Sequence, residues 1–435
     1  MTPNHNKKLL TTVTTIITAL TLLTAPAITH TAHTPPPQTE NPTFKTLYGA
    51  DPPVTQCSFT IFLELIQPHD YPFEVHSVTT EDGHILQVFR IQARGTKIVA
   101  GKPVVFLQHG LLDSADNWVI NTPERSLGLV LADRGYDVWL GNSRGNKYSL
   151  ASTNQKTKAK DFWAYSFQQM GRYDVPANIQ YVLGITGQAT LDWIGHSQGT
   201  AQLFAALTDP ATRDYVNAKV RKFLAMAPIV YLSNSQVFPL RVLATQQKVI
   251  SNFSNLLGIY LLFPASCQSN DHIEKLTKSF CNTLTPKICN GILTFIDPVA
   301  AVDDLARWDV YLHHIPSGTS VMTVAHFAQM ISQSKGNPVF KKFDYGKRKN
   351  RVQYGQDTPP EYELDKIRTK VRLFIGTADT LGDTVDNQIL YSRLKEYGVD
   401  VRRFFLKDWG HMTFLWAKDP SAEFSEVFRE LETAD

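Results

Sequence analysis

Five residues at 195–199, Gly-His-Ser-Gln-Gly, have the types and spacing of a reactive serine on a tight turn. In the pattern G-x-S-x-G the serine lies between a strand and a helix. The glycines two residues before and two residues after it avoid clashes that a Cβ would cause. Residues 191–194 are strand-like and residues 200–207 are helix-like, as that turn requires. The five-residue pattern alone also arises by chance. The prediction that Ser197 is a nucleophile therefore depends on the strand-like and helix-like segments on either side of it.

A serine hydroxyl is a weak nucleophile, so it needs a base within hydrogen-bond reach and a carboxylate that orients the base. On this kind of turn the chain order is serine, acid, histidine. Asp379 follows the apolar run 371–375, and His411 follows the run 401–406, so both lie just past predicted strand ends. We therefore expect His411 as the base and Asp379 as its partner. The competing residues are the bases His272, His313, His314 and His326, and the carboxylates Asp383, Asp386 and Asp408.

The tetrahedral intermediate of acyl transfer needs two N–H donors aimed at its oxygen. The residue after the nucleophile supplies one, here Gln198, and a loop after an earlier strand supplies the other. The apolar run 104–107 leads into Gln108-His109-Gly110-Leu111-Leu112, where glycine allows a close turn. We expect the Leu111 amide to be the second donor; the alternative is an ordinary turn at the end of a strand.

These side chains require a sheet whose strand ends bring them together. Past residue 45 the chain alternates short β-type runs with helical patterns, which predicts a mainly parallel sheet covered on both faces. Ligand sites in such sheets lie outside the carboxyl ends of the strands. The predicted strands are 84–91, 103–108, 137–140, 190–194, 222–226, 371–375 and 401–406.

Between residues 228 and 354 the strand-like alternation nearly disappears and apolar residues recur at helical spacing. This predicts a helical segment inserted into the α/β domain, ending at the basic stretch 341–351 and the turn-rich stretch 355–360. The expected organisation is therefore a first core segment at 46–228, a helical cap at 229–354 and a second core segment at 355–435.

Composition limits the partners of the protein. The 435 residues include 43 Lys and Arg against 40 Asp and Glu, and 19% of the residues are charged. This balance leaves no basic face large enough to neutralise many phosphates, so nucleic acid is not an expected partner. Four cysteines are too few for a scaffold built on disulfides, and hydrophobic burial must provide most of the stability.

The N-terminus has the pattern of a secretory signal peptide, residues 1–27. Lys7 and Lys8 precede the moderately apolar stretch 9–23, and small residues around Ala27 form a cleavage site. The alternative is a short membrane anchor, but about 15 such residues fall short of the roughly 20 that cross a bilayer. Residues 28–45 then form a flexible leader, and no other stretch has membrane-spanning length. We expect a protein of the secretory pathway, either secreted or lysosomal.

Further motifs make the chain resemble the acid lipase family, which includes lysosomal acid lipase and gastric lipase. The resemblance runs over roughly residues 45 to 430, and collinear matches over that span are far more specific than one motif. They include Thr-Glu-Asp-Gly at 80–83, His-Gly-Leu-Leu-Asp-Ser at 109–114 and Gly-Asn-Ser-Arg-Gly-Asn at 141–146. The other matching stretches are 71–72, 162–167, 173–177, 195–199, 225–228, 316–320, 354–356, 358–360 and 411–416.

The resemblance implies an α/β-hydrolase fold with a helical cap and hydrolysis of neutral lipid esters, triacylglycerols or cholesteryl esters, at a lipid–water interface. It also implies the roles reached above from the residues: Ser197 with Asp379 and His411, and an oxyanion hole formed by the Leu111 and Gln198 amides. Such an enzyme needs no cofactor, and no cysteine and histidine spacing here resembles a zinc site. We expect a monomer.

The chain departs from the family in one place near the site. Where the family usually has aspartate two residues after the histidine, this chain has Thr413. The cap matches less closely than the core, so the preference for chain length or sterol does not follow from the resemblance.

Several features of the cap stay open at this stage. Four cysteines allow three pairings, and the resemblance implies Cys267 with Cys281. Asn252 begins a glycosylation sequon. The apolar run 256–263 fits either cap core or a surface that meets lipid. The cations Lys347, Arg348, Lys349 and Arg351 fit a solvated loop, or contact with anionic headgroups.

Two other functions remain compatible with the sequence. An esterase or acyltransferase for small soluble esters would share the triad but lack activation by lipid aggregates. A non-catalytic lipid-binding protein would keep the fold, because fold alone does not prove activity, but it should have lost part of the triad.

Overall fold

The computed structural model describes residues 59–154, 157–236, 260–262, 301–333 and 337–433. Several predictions fall outside these residues: the signal peptide 1–27, the leader 28–45, the glycosylation candidate Asn252, the base candidate His272 and the disulfide candidates Cys267 and Cys281.

Most strands of the described chain form one mixed sheet. Its strands are β1 Phe73–Thr79, β2 His84–Ile91, β3 Val104–Gln108, β4 Asp137–Gly141, β5 Ala151–Ser152, β6 Leu191–His196, β7 Val220–Met226, β10 Lys370–Gly376 and β11 Val401–Leu406; β8 and β9 form a separate small sheet described below. The order in the sheet is β1-β2-β4-β3-β6-β7-β10-β11, and the short β5 pairs with β2. The pairs from β4 through β3, β6, β7 and β10 to β11 are parallel, whereas β2 is antiparallel to each of its neighbours.

Helices connect these strands. The α-helices are α1 Thr60–Ile66, α2 Leu127–Asp133, α3 Ala159–Phe162, α4 Phe167–Gln169, α5 Val175–Thr186, α6 Gln198–Thr208, α7 Arg213–Lys219, α8 Trp308–His314, α9 Val321–Gln333, α10 Lys347–Tyr354, α11 Thr384–Glu396, α12 Thr413–Trp416 and α13 Ser421–Glu432. A π-helical turn, Met170–Asp174, joins α4 to α5, and short 3-10 helices occupy Gln67–His69, Ala115–Trp118, Pro123–Arg125, Leu305–Arg307 and Leu364–Lys366.

Two apolar cores cover the two faces of the sheet. Alternate side chains of β3 enter different cores, with Phe106 in one and Val105 and Leu107 in the other. Phe106 stacks on Trp193 of β6 with ring centroids 4.5 Å apart. All residues of β3 are buried, as expected for a central parallel strand, and each large apolar side chain so buried contributes about 1.5–3 kcal/mol. The prediction of a mainly parallel sheet covered on both faces is confirmed.

The antiparallel edge and part of the insertion differ from the sequence-based expectation. Strands β1 and β5 were not predicted, because β1 alternates polar residues at a partly exposed edge and β5 has only two residues. Within 229–354 the described residues include α8, α9 and α10, but also a two-stranded sheet of β8 Leu261–Leu262 and β9 Thr319–Ser320.

The basic run expected as a loop is helical. It forms α10, which begins after Gly346 and ends at Tyr354, before Gly355, a glycine in the left-handed region. Lys347 and Arg351 both pair with Asp357, and the Lys347 contact is 2.9 Å. The shared carboxylate offsets part of the repulsion between neighbouring cations. No helix in the described ranges is long and apolar enough to cross a membrane.

Candidate active site

Ser197 lies on a strained turn at the carboxyl end of β6. Its backbone has φ 53° and ψ −120°, a combination that costs a non-glycine residue energy and marks a turn held by its surroundings. The Ser197 N–H donates to the Met226 carbonyl on β7 at 3.0 Å, and α6 begins at the next residue. The strand–turn–helix context expected for Ser197 is therefore present.

The start of α6 touches the end of β3 with no room for a side chain between them. A Cβ at Gly199 would overlap the carbonyl oxygen of Gln108 and lie 2.9 Å from that of His109. A Cβ at Gly110 would lie 3.1 Å from the Ser197 Cβ and 3.6 Å from its Oγ. These two glycines thus let the loop after β3 approach the serine.

Three buried side chains form a series of hydrogen bonds. The His411 Nε2 lies 2.8 Å from the Ser197 Oγ, and the His411 Nδ1 lies 2.9 Å from the Asp379 Oδ2. All three residues are at most 6% exposed. The structure thus brings together the three residues that the sequence singled out, although they are up to 214 positions apart in the chain.

Adjacent parallel strands explain how Asp379 meets His411. Strands β10 and β11 are paired in register up to Gly376 and Leu406, so the loops that follow them leave the same edge of the sheet. The Ala378 N–H donates to the Trp409 carbonyl at 2.9 Å and joins the two loops.

Both oxygens of the Asp379 carboxylate have hydrogen-bond partners within the protein. Its Oδ1 accepts the N–H groups of Leu381 and Gly382, both at 2.8 Å, and its Oδ2 faces His411. Burial acts to raise the pKa of Asp379, but the charge and hydrogen bond of His411 and the two amides outweigh it, so the pKa lies below its usual value. Asp379 is therefore an anion that can orient and stabilise a protonated His411.

A second histidine supports the first. The His196 Nε2 donates to the backbone carbonyl of His411 at 2.8 Å. Burial lowers the pKa of His196 to about 3, so the ring stays neutral. Sequence reasoning did not assign His196 a role, because a residue between two motif positions gives no signal of a contact 215 positions away.

The candidate oxyanion donors belong to the two segments that meet at Ser197, the start of α6 and the loop after β3. Gln198 is the first residue of α6, where a helix N–H has no partner within its own helix. Leu111 follows Gly110, the residue that touches the serine. Among the described residues neither of these two N–H groups donates a hydrogen bond, which leaves both available to a ligand oxygen.

The loop that carries Leu111 also contains a buried acid, Asp113. Its Oδ1 accepts the Ser114 N–H at 2.6 Å, whereas its Oδ2 has no hydrogen-bond donor in the described part of the chain. Burial raises the pKa of Asp113 to about 7. This carboxyl group is therefore protonated in acidic solution.

The competing histidines in the described residues have other partners. His314 on α8 contacts the Asp116 carboxylate at 2.7 Å, and the ring of His313 packs edge-on against His314. His326 on α9 lies between the Ser166 hydroxyl and the Lys341 carbonyl, each at 2.9 Å.

Two of the three competing carboxylates are used elsewhere. Asp383 caps α11 by accepting the Val385 N–H at 2.7 Å, and Asp386 accepts two hydrogen bonds from Asn234. Asp408 occupies a left-handed turn with φ 61°. Within the described ranges, no group of three or more His, Cys, Asp or Glu side chains is placed to hold a metal ion.

Thr413, which stands where the family usually has aspartate, forms a local hydrogen bond near the histidine. The buried Thr413 Oγ1 accepts the Gly410 N–H at 3.0 Å, and Thr413 begins α12. The hydroxyl thus closes the turn that carries His411.

A mostly parallel sheet with a serine on a strained strand–helix turn, and a histidine and an acid after its last strands, defines an α/β hydrolase. A family model described as alpha/beta hydrolase fold matches residues 103–418, and one described as partial alpha/beta-hydrolase lipase region matches residues 62–122. The chain belongs to the acid lipase family and is a carboxylic ester hydrolase.

Relatives from several animals show this family membership. The gastric triacylglycerol lipase of Bos taurus is 35% identical over 376 residues, covering 85% of this chain and 89% of that protein. Lipase lipl-1 of Caenorhabditis elegans is 36% identical over 362 residues, covering 81% and 86%. Lipase member K of Homo sapiens is 34% identical over 375 residues, covering 85% and 88%.

Proposed function

We propose that the protein is a lipase that hydrolyses neutral lipid esters, foremost triacylglycerols, through Ser197, Asp379 and His411. The hydrogen-bonded series of these three side chains is the observation that carries the proposal. The printed names of its relatives, gastric triacylglycerol lipases, support triacylglycerol as the substrate class. Cholesteryl esters are the other substrates to be tested.

The mechanism is acyl transfer through a serine ester. The Ser197 hydroxyl gives its proton to the His411 Nε2 as Oγ attacks the ester carbonyl carbon. The ionised Asp379 stabilises the positive charge on His411, and the carbonyl oxygen becomes an anion held by the Leu111 and Gln198 amides. His411 then protonates the leaving alcohol oxygen as the ester C–O bond breaks.

Hydrolysis of the acyl-enzyme repeats these steps with water. His411 takes a proton from water while the water oxygen attacks the acyl carbon. The same amides hold the second oxyanion. When that intermediate collapses, the bond to the Ser197 Oγ breaks, the serine recovers its proton and the fatty acid is released.

Further properties of the enzyme are proposals of the same kind. The segment 229–354 acts as the cap over the site, and the protein works as a monomer at a lipid–water interface. Residues 1–27 direct the chain into the secretory pathway and are then cleaved off. A Cys267–Cys281 disulfide and a glycan on Asn252 complete the mature protein, which is either secreted or lysosomal. Mass spectrometry of protein from secreting cells tests the cleavage site, the disulfide and the glycan.

The deciding experiment compares the wild type with Ser197→Ala on emulsified trioleoylglycerol and cholesteryl oleate, from acidic to mildly alkaline pH. We expect fatty acid release by the wild type and a loss of about 10⁴-fold or more in the variant. Ser392→Ala is the matched control, because it removes an exposed hydroxyl on α11 that bonds only its own helix.

Each other result would refute part of the proposal. If a dissolved short ester turns over and neither emulsion does, the protein is an esterase. If Ser197→Ala equals the wild type on every ester, the triad assignment is wrong. The preferred ester among those hydrolysed identifies the natural substrate class.

A further inference from the structure

His109 is a buried histidine beside the candidate oxyanion hole that the mechanism above does not use. It is 1% exposed and directly follows β3, two residues before Leu111. Its Nδ1 lies 2.8 Å from the carbonyl oxygen of Gly110. Its Nε2 accepts the backbone N–H of Ser143 at 2.9 Å, with the Asn146 side-chain nitrogen at 3.2 Å.

These partners fix which ring nitrogen carries the proton. A backbone N–H can only donate, so the Nε2 facing Ser143 must present its lone pair. A carbonyl oxygen can only accept, so the Nδ1 facing Gly110 must carry the hydrogen. Burial lowers the pKa of His109 to about 4, which agrees with a neutral ring.

We propose that His109 is a positioning residue for the oxyanion hole: its Nδ1–H holds the Gly110 carbonyl and so aims the Leu111 N–H at the substrate oxygen. The carbonyl of Gly110 and the N–H of Leu111 belong to one planar peptide group and point in opposite directions. Rotating this plane would break the bond to His109. The ring therefore selects one of the two orientations that a glycine-containing loop would otherwise adopt.

The same contacts join the two oxyanion donors. The Ser143 hydroxyl accepts the side-chain amides of Gln108, at 2.9 Å, and of Gln202, at 3.0 Å. Gln202 lies on α6, the helix that begins with Gln198. A buried series of polar contacts thus runs from α6 through Ser143 and His109 to the peptide that carries the Leu111 N–H. It holds the two N–H donors in a fixed relation to each other.

Two substitutions separate this role from simple packing. In His109→Asn the side-chain amide nitrogen can take the place of Nδ1 and keep a donor for Gly110. In His109→Gln the terminal amide reaches the position of Nε2, so the bond to Gly110 is lost. Both variants are neutral and polar, and both lose the imidazole ring.

The readout is kcat and KM on a soluble short-chain ester, with the inhibition constant of an alkylboronic acid that forms a tetrahedral adduct on Ser197. Loss of one oxyanion donor costs about 100-fold or more in kcat, so we expect His109→Gln to approach that loss with KM little changed. The boronic acid constant should rise by a similar factor. His109→Asn should stay within about tenfold of the wild type.

The proposal is overturned if the two variants lose equal kcat, or if neither loses any. If His109→Gln does not fold by near-ultraviolet circular dichroism, His109→Ala, which also lacks a donor for the Gly110 carbonyl, takes its place in the comparison with His109→Asn. The kcat of His109→Ala should then fall about 100-fold with little change in KM, and equal kcat in these two variants refutes the proposal.

The inference rests on the hydrolysis proposed above. Measuring Ser197→Ala in the same assay distinguishes a failure of the proposed function from a failure of the role of His109. If Ser197→Ala retains activity, the proposed function fails. If only Ser197→Ala loses activity, the role of His109 fails and the function stands.

Discussion

Asp113→Asn tests whether a protonated acid is built into the loop beside the active site. Asparagine keeps an oxygen for the Ser114 N–H, which now bonds the Asp113 Oδ1 at 2.6 Å. It also has the shape of the protonated acid. The substitution therefore removes the ability to ionise while leaving the loop nearly unchanged.

The size and sign of the effect follow from the pKa. Burial raises the pKa of Asp113 from 3.8 to about 7 in the folded protein. Between these values the folded state holds a proton that the unfolded state has lost, so the wild type loses stability as the pH rises through this window. At about 1.4 kcal/mol per pKa unit, the loss is about 4 kcal/mol once the pH exceeds 7. In Asp113→Asn this loss is absent.

Urea unfolding of both proteins between pH 4 and 8 measures the difference. The free energy of unfolding of the variant, relative to the wild type, should rise with pH by about 4 kcal/mol. Asp209→Asn is the control with no slope in this pH range. Burial of Asp209 is outweighed by Lys342 at 2.7 Å and by Arg172, so its pKa is lowered from 3.8 and it stays ionised and paired from pH 4 to 8. The Asp209→Asn variant should therefore be less stable than the wild type by a nearly constant amount over this range. Parallel curves for Asp113→Asn and the wild type would refute the reasoning.

Three further substitutions test the site. Gly199→Ala forces a Cβ into the Gln108 carbonyl, so the melting temperature and kcat should both fall, and an unchanged melting temperature would contradict the tight contact. Asp379→Asn keeps the shape but removes the charge beside His411, so kcat should drop by about 10⁴-fold with little change in fold, whereas a loss under tenfold would contradict its role. Thr413→Val leaves the Gly410 N–H without its acceptor and should cost about 1–3 kcal/mol in urea unfolding; Thr413→Ser should restore most of it.

The sequence predicted the central strands well because their physical signal is local. Strand β2 was expected at 84–91 and lies there: its burial alternates over the first four residues, and residues 88–91 are all buried. Asp379 and His411 could be selected because each follows an apolar strand, and parallel strands place their carboxyl ends at one edge.

Contacts between distant segments could not be read in this way. The bonds of His196 to His411 and of His109 to Ser143 join loops that only the finished sheet brings together. Strand β1 lies at the edge of the sheet and is mostly exposed or partly buried, so polar residues are tolerated there. The alternation of apolar and polar residues that would predict a strand is therefore weak. The helix α10 depends on pairing with Asp357, a residue beyond the basic run itself.

The pairing of β10 with β7 has a consequence for how activity appears during folding. Val371 lies opposite Phe223, nearly 150 positions earlier, and both Asp379 and His411 follow β10. Closing so long a loop is slow relative to forming local helices. A nascent or refolding chain can therefore hold Ser197 on its turn while its catalytic partners are still undocked. Recovery of turnover would then report the arrival of the C-terminal strands, and should lag behind the recovery of helical circular dichroism.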